Sequence, residues 1–109
     1  MSEKIVVSLE GLRKIQSGLY EFSQAEIRSK SAEDQKAHAD NLHRIGVMMM
    51  TLEKNNVAAG NEKFKHKEDD LVQAVDEMEN TVENMNDFSD VVRSISSGLN
   101  TVDTIIRLL

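Results

Sequence analysis

Apolar residues near the start of the chain recur at the spacing of an amphipathic helix. Four of them step by three and four residues and so share one helical face: Leu12, Ile15, Leu19 and Phe22. Ser8 offers a side-chain oxygen suited to cap a helix. We therefore expect the first helix to begin near Leu9.

This apolar face fades over residues 26 to 38 and then resumes. Because no Pro or Gly occurs in the polar stretch, the sequence favours one continuous helix over about residues 9 to 54. The alternative is a kink or break near residues 29 to 31, because Ser31 followed by Ala-Glu-Asp is typical of a new helix start.

The second half of the chain predicts a turn followed by another helix. Residues 55 to 61 contain three Asn and one Gly, which is turn chemistry. After it, a heptad pattern with Leu71 at position a is mostly apolar at its a and d positions for more than five heptads. We predict a helix over about residues 62 to 108. The fold class is then all-α, a single domain over residues 1 to 109 that forms an elongated antiparallel helical hairpin, with a kinked or broken first helix as the variant.

A weak internal repeat supports the hairpin. The pattern R-x-I-x-S-G-L occurs at residues 13–19 and again at residues 93–99, which lie opposite each other in a hairpin folded about residue 56. Small residues at matching positions predict close helix packing there: Ser17, Gly18, Ser97 and Gly98. Chance is the alternative, since Ser and Gly are common residues.

The same pairing leaves one apolar stripe uncovered. Folding about residue 56 sets the polar residues 26 to 38 opposite residues 74 to 86. An apolar stripe without cover usually marks an interface. The predicted partner interface consists of Val75, Met78, Val82, Met85 and Phe88. The alternative is a three-helix fold in which residues 32 to 54 cover the stripe and no partner is needed.

Composition excludes several functions. The net charge of −6 and scattered Lys and Arg residues argue against nucleic-acid binding. The absence of Cys excludes thiolate chemistry and disulfides. No apolar run approaches the ~20 residues that span a bilayer, and the first residues do not read as a cleaved signal peptide.

Catalytic and cofactor-binding patterns are also missing from the sequence. His38 and His43 are five residues apart, whereas two ligands on one helical face need a spacing of three or four. We interpret both, and His66, as solvent-exposed. Paired carboxylates are typical of a solvated helix face here, so we predict a non-enzymatic protein with no metal and no cofactor.

An acidic chain of this length without Cys, with two helices and a central Asn/Gly turn, resembles the WXG superfamily of type VII secretion proteins. The superfamily's Trp-x-Gly is absent, since the chain has no Trp. The opening Lys4-Ile-Val-Val-Ser-Leu-Glu-Gly-Leu-Arg-Lys-Ile15 is similar to the start of the small helical proteins encoded beside LXG toxins. This resemblance implies a targeting factor or chaperone that binds the N-terminal helices of a toxin, alone or with a second small helical protein.

The resemblance also implies a location and an export signal. It places the protein in the bacterial cytoplasm, with export beside its partner and without a cleaved signal as the variant. The family's signal is an aromatic residue followed four positions later by an acid, near the C-terminus. Phe64 and Glu68 match that spacing, as do Phe22 and Glu26, but neither pair is C-terminal. Two other functions stay open: a self-assembling structural protein that forms a homodimeric four-helix bundle, and an accessory subunit of an enzyme.

Overall fold

The structure, a computed structural model, describes residues 3–54, 62–84 and 87–108. Regular secondary structure in these ranges is entirely helical, which confirms the all-α prediction. The helices are α1 (Glu3–Leu19), α2 (Gln24–Arg28), α3 (Ala32–Lys54), α4 (Glu62–Lys65), α5 (Glu68–Asn84) and α6 (Phe88–Ile106). The predicted turn over residues 55 to 61 lies outside the described residues.

The four longer helices pack around one apolar core as an elongated bundle of 47 × 22 × 17 Å. The packed pairs are α1 with α5, α5 with α6, α6 with α3, and α3 with α1. Helices α1 and α6 therefore lie diagonally opposite each other, as do α3 and α5. Each arm of the predicted hairpin is itself folded back, so that a single chain supplies all four helices of the bundle.

Helices α1 and α5 run parallel. Near the start of both, Lys4 Nζ lies 2.6 Å from Asp69 Oδ1, and this ion pair raises the pKa of the exposed Lys4 amine, first through its hydrogen bond. Near the end of both helices, Gly18 lies against Val82. Because α1 and α5 are parallel, the chain between them returns along the bundle through α3.

Helices α3 and α6 are also parallel, and a buried amide joins them. Asn41 Nδ2 donates a hydrogen bond to the Val92 carbonyl oxygen at 3.2 Å, and Asn41 Oδ1 accepts one from Ser96 Oγ at 3.1 Å. One end of the pair is joined by Ser89 Oγ, which donates to Asp34 at 2.7 Å. A buried amide with both its groups bonded stabilises one register of the two helices over the others.

The first arm differs from the continuous helix predicted over residues 9 to 54. Ser31 Oγ accepts a hydrogen bond from the Asp34 amide at 3.1 Å just before α3, so the structure has the break at Ser31 that the sequence offered as the alternative. Ser23 caps the short α2 by accepting from the Glu26 amide at 3.1 Å. Two serine caps that lie eight residues apart compete with a continuous helix, although Pro and Gly are absent there.

The first helix also begins earlier than predicted. It starts at Glu3, and Ser8 lies inside it, where its hydroxyl donates to the Lys4 carbonyl oxygen at 2.8 Å. The expectation that Ser8 caps the helix is therefore wrong. The β-branched residues before it extend α1 because Ile5 is buried in the core.

The second arm differs from the single helix predicted over residues 62 to 108. Helix α5 ends at Asn84, and α6 begins at Phe88. Asp87 caps α6, with its carboxylate accepting from the Ser89 amide at 3.1 Å. The chain folds back here because α6 then buries its apolar face against both α5 and α3.

The heptad pattern that starts at Leu71 correctly predicts core positions on both sides of this break. Its a and d residues that are buried in α5 and α6 are Leu71, Ala74, Met78, Phe88, Val92, Ile95, Leu99, Val102 and Ile106. The heptad register therefore identifies the buried residues even though the helix is interrupted.

The small residues of the internal repeat pack differently from the prediction. The two repeat segments lie on the diagonal pair α1 and α6, so they do not face each other. Gly18 lies against Val82 and Gly98 against Met78, and both contacts are with α5. Ser17 and Ser97 are exposed.

Two glycines offer a matched test of the seam between α1 and α5. A Cβ at Gly11 would collide with Val75, whose χ1 is stiff in a helix, whereas a Cβ at Gly46 would meet open space. We expect Gly46→Ala to raise the free energy of unfolding by about 0.5–1 kcal/mol, since both glycines lie in helix interiors. We expect Gly11→Ala to be less stable than Gly46→Ala by about 1–3 kcal/mol, as measured by urea unfolding. Equal stabilisation by both changes would contradict the close packing of α1 on α5.

Candidate partner-binding surface

The predicted interface on the second arm is buried inside the bundle. Val75 and Met78 are 1% and 2% exposed, and Phe88 is fully buried. Val82 is half-buried against the core, and Met85 lies outside the described residues. The prediction that this stripe is free for a partner is therefore wrong. The break after Leu19 allows α1 to fold back over Val75 and Val82, while α6 covers Met78 and α3 covers Phe88.

Large apolar side chains that are exposed lie elsewhere. Within the ranges that the structure describes, they are Val6, Val7, Tyr20, Val47 and Met50. All five belong to α1, to α3 or to the turn that follows α1, and none belongs to α5 or α6. The exposed apolar surface is thus confined to the side of the bundle formed by the first arm.

An ion pair between α1 and α3 identifies the flank of α1 that borders α3. Arg13 on α1 contacts Glu53 on α3 at 3.1 Å, so the flank of α1 that carries Arg13 borders α3. Val6 and Tyr20 lie seven residues before and after Arg13, and seven residues restore nearly the same helical direction. Both therefore lie along the border with α3. Val7 lies on the opposite flank, four residues before Gly11, which faces α5.

The matching flank of α3 carries the most exposed methionine. Met50 lies one turn before Glu53 and is 61% exposed; Val47, six residues before Glu53, is rotated by about 120° from it and lies on the outward surface of α3. Tyr20, across the border, is 67% exposed. We call the surface formed by Val6, Tyr20, Val47 and Met50 the α1–α3 face.

The seam beneath this face is the least extensively packed of the four seams in the bundle. Leu42 and Met49 lie a heptad apart on the flank of α3 that borders α1, and both are only half-buried. The α1–α3 face is therefore continuous with apolar side chains that are already partly open to solvent.

The balance of charge on α1 and α3 differs from that on α5. Helices α1 and α3 together carry six acidic and six basic residues, whereas α5 carries seven acidic residues and no Lys or Arg. A balanced surface with central apolar side chains suits a protein interface, and a strongly acidic one suits a solvated face. Both properties favour the α1–α3 face as the docking surface.

A groove of about 620 Å³ between α5 and α6 is a weaker candidate. It runs toward the middle of the bundle, where a second hollow shares Ala74, Glu77 and Thr101 with it. Its lining combines the apolar side chains of Ala74, Ile105 and Leu108 with the carboxylates of Asp70 and Glu77 and with threonine hydroxyls. These apolar side chains are buried or half-buried, whereas those of the α1–α3 face are exposed.

The predicted export pairs lie in different surroundings. Phe64 is buried at 2% exposure in α4, and Glu68 begins α5 after an intervening turn, so this pair does not share one helix. Phe22 is half-buried, with its ring 5.0 Å from that of Phe88 in an edge-to-face arrangement. Both aromatic rings are engaged in packing within the bundle.

One histidine contradicts the prediction of solvent exposure. His38 is 6% exposed, and its Nδ1 atom is buried without a hydrogen-bond partner. Burial lowers the pKa of its imidazole below the ordinary value. His43 and His66 are exposed as predicted.

The sequence did contain a signal for the α1–α3 face. Met48, Met49 and Met50 are consecutive, and a helix cannot direct three consecutive side chains into one core. The structure buries the first, half-buries the second and exposes the third. An apolar residue off the core stripe was therefore predictable, although its neighbours across the seam were not.

Comparison of the chain with protein-family models, with curated proteins and with solved structures finds no match. None of the helices over the described ranges is long and apolar enough to cross a membrane.

Proposed function

We propose that this protein is a non-enzymatic, helix-binding targeting factor or chaperone that docks its partner on the α1–α3 face. The observation that carries the proposal is that, among the residues that the structure describes, the exposed large apolar side chains lie on α1, on α3 and in the turn between α1 and α2. Apolar side chains flanked by balanced charge are what an amphipathic helix would cover.

The partner we propose is the N-terminal helical region of an LXG toxin of type VII secretion. The similarity of residues 4 to 15 to the starts of proteins encoded beside such toxins supports this partner. Those residues form most of α1, the helix that contributes Val6 to the α1–α3 face. The bacterial cytoplasm is then the place where the complex forms, and export of the protein with its toxin is the further step.

Size-exclusion chromatography with light scattering tests this function. We expect the protein alone to be a monomer of 12.3 kDa, because its four helices already enclose their own core. Co-expression with the helical region of an LXG toxin encoded beside it is expected to give a stable heteromeric complex. A homodimer that ignores the toxin would contradict the proposal and favour the self-assembling structural protein instead.

A further inference from the structure

Three rings meet at one corner of the bundle. The centroid of the His38 ring lies 6.2 Å from that of Phe22 and 5.0 Å from that of Phe88, and the two phenyl rings are 5.0 Å apart. Phe22 comes from the link between α1 and α3, residues 20–31, which contains α2. His38 comes from α3 and Phe88 from the first turn of α6. The cluster therefore holds this link against both α3 and α6.

The histidine is the exceptional member of this cluster. Among buried side-chain polar atoms of the described residues, His38 Nδ1 is the one without a hydrogen-bond partner. A leucine or phenylalanine would fill such a corner without leaving a nitrogen unsatisfied, and an unpaired buried polar group costs about 1–3 kcal/mol. Histidine at position 38 therefore makes the fold less stable than an apolar residue of similar size would.

We infer that the Phe22–His38–Phe88 cluster is a pH-sensitive latch, which is closed when His38 is neutral and released when it is protonated. Protonation places a charge on a buried imidazole beside two apolar rings, where burial disfavours the charged form. Release would free Phe22 and the link over residues 20 to 31 from the end of the bundle.

Charged residues of both signs lie close to the latch in the sequence. Glu21 adjoins Phe22 on the link, Asp34 lies one turn before His38 on α3, and Asp87 adjoins Phe88 at the start of α6. The link also carries the basic residues Arg28 and Lys30. The Asp34 carboxylate already accepts a hydrogen bond from Ser89. Burial lowers the pKa of His38 in the closed state, and a released imidazolium is free to approach the three carboxylates.

Linkage gives the direction of the pH effect. Because the pKa of His38 is lower in the closed latch than its ordinary value of about 6.5, the open state binds more protons below that pH. The closed latch is therefore at full stability above about pH 6.5 and loses stability as the pH falls toward the depressed pKa. Opening should increase up to about ten-fold for each pH unit in that window.

The latch adjoins the α1–α3 face, since Phe22 lies two residues after Tyr20. Release would add the Phe22 ring to the apolar surface there. This consequence rests on the proposed function, but the latch itself does not, because it is a property of the free chain.

Hydrogen exchange of the free protein, followed by mass spectrometry between pH 7.5 and 5.0, tests the latch. We expect protection factors over residues 20 to 31 to fall up to about ten-fold per pH unit below about pH 6.5, with little change in α5. His38→Leu should abolish this fall. The control His43→Leu, which removes an exposed histidine from the same helix, should retain it.

Two results would overturn the inference. One is an equal loss of protection in His38→Leu and in the unchanged protein, and the other is no loss in either. If His38→Leu does not fold, the proton resonances of the imidazoles in the unchanged protein decide. His38 should then titrate below the ordinary value of about 6.5, and titration at or above that pH would refute the latch.

Discussion

Replacing Met78 with aspartate is expected to leave the chain largely unfolded at 25 °C. Met78 is 2% exposed and packs against Gly98 of α6. The change removes a buried apolar side chain, at about 2–5 kcal/mol, and adds the desolvation of a carboxylate, which costs several kcal/mol more. Domains of this size are stable by only about 5–15 kcal/mol. Circular dichroism during heating should therefore show no cooperative transition.

The chain provides a matched control for this experiment. Met50→Asp makes the same chemical change on an exposed surface and should alter the free energy of unfolding by no more than about 1 kcal/mol. Met78→Leu, which preserves volume, should cost less than about 1.5 kcal/mol. If Met78→Asp folded as well as Met50→Asp, the stripe on α5 would be surface, and the bundle described above would be wrong.

The double change Val47→Asp with Met50→Asp is expected to abolish partner binding while leaving the fold intact. Both side chains lie on the outside of α3, so their loss removes no core contact. Burying two carboxylates in an interface without partners should weaken the complex at least about 30-fold, a loss of 2 kcal/mol or more. Isothermal titration of the toxin's helical region into the variant measures this loss.

Val7→Asp is the control for the binding measurement. Val7 is 42% exposed, close to the 47% of Val47, but it lies on the flank of α1 that borders α5. We expect this variant to bind as the unchanged protein does. If Val7→Asp lost binding while the double variant Val47→Asp with Met50→Asp bound fully, the interface would lie on the flank of α1 that borders α5.

Much of the core was predictable because the buried residues of a helix recur along the sequence with the period of the helix. The steps of three and four residues from Leu12 to Leu19, and the heptads that begin at Leu71, mark residues that the bundle buries. The break at Ser31 also had a local signal in its serine cap. These features depend on near neighbours in the sequence, which a single chain displays directly.

The pairing of helices was not predictable in the same way. Asn84 and Asp87 flank a break that contains neither Pro nor Gly, so the heptads cross it in phase and suggest one helix. An apolar stripe shows that its residues are covered but does not identify the helix that covers them. Once α1 folds back, Val75 and Val82 lie against Gly11 and Gly18, and the candidate surface moves to the first arm.

The placement of the interface is tested most directly by hydroxyl-radical oxidation of methionines in the free protein and in its complex with the toxin's helical region. In the free protein, Met50 should oxidise quickly and Met78 slowly, since they are 61% and 2% exposed. In the complex, Met50 should become protected while Met78 stays unchanged. Rapid oxidation of Met78 in the free protein, followed by its protection in the complex, would return the interface to α5 and contradict both the bundle and the proposed docking surface.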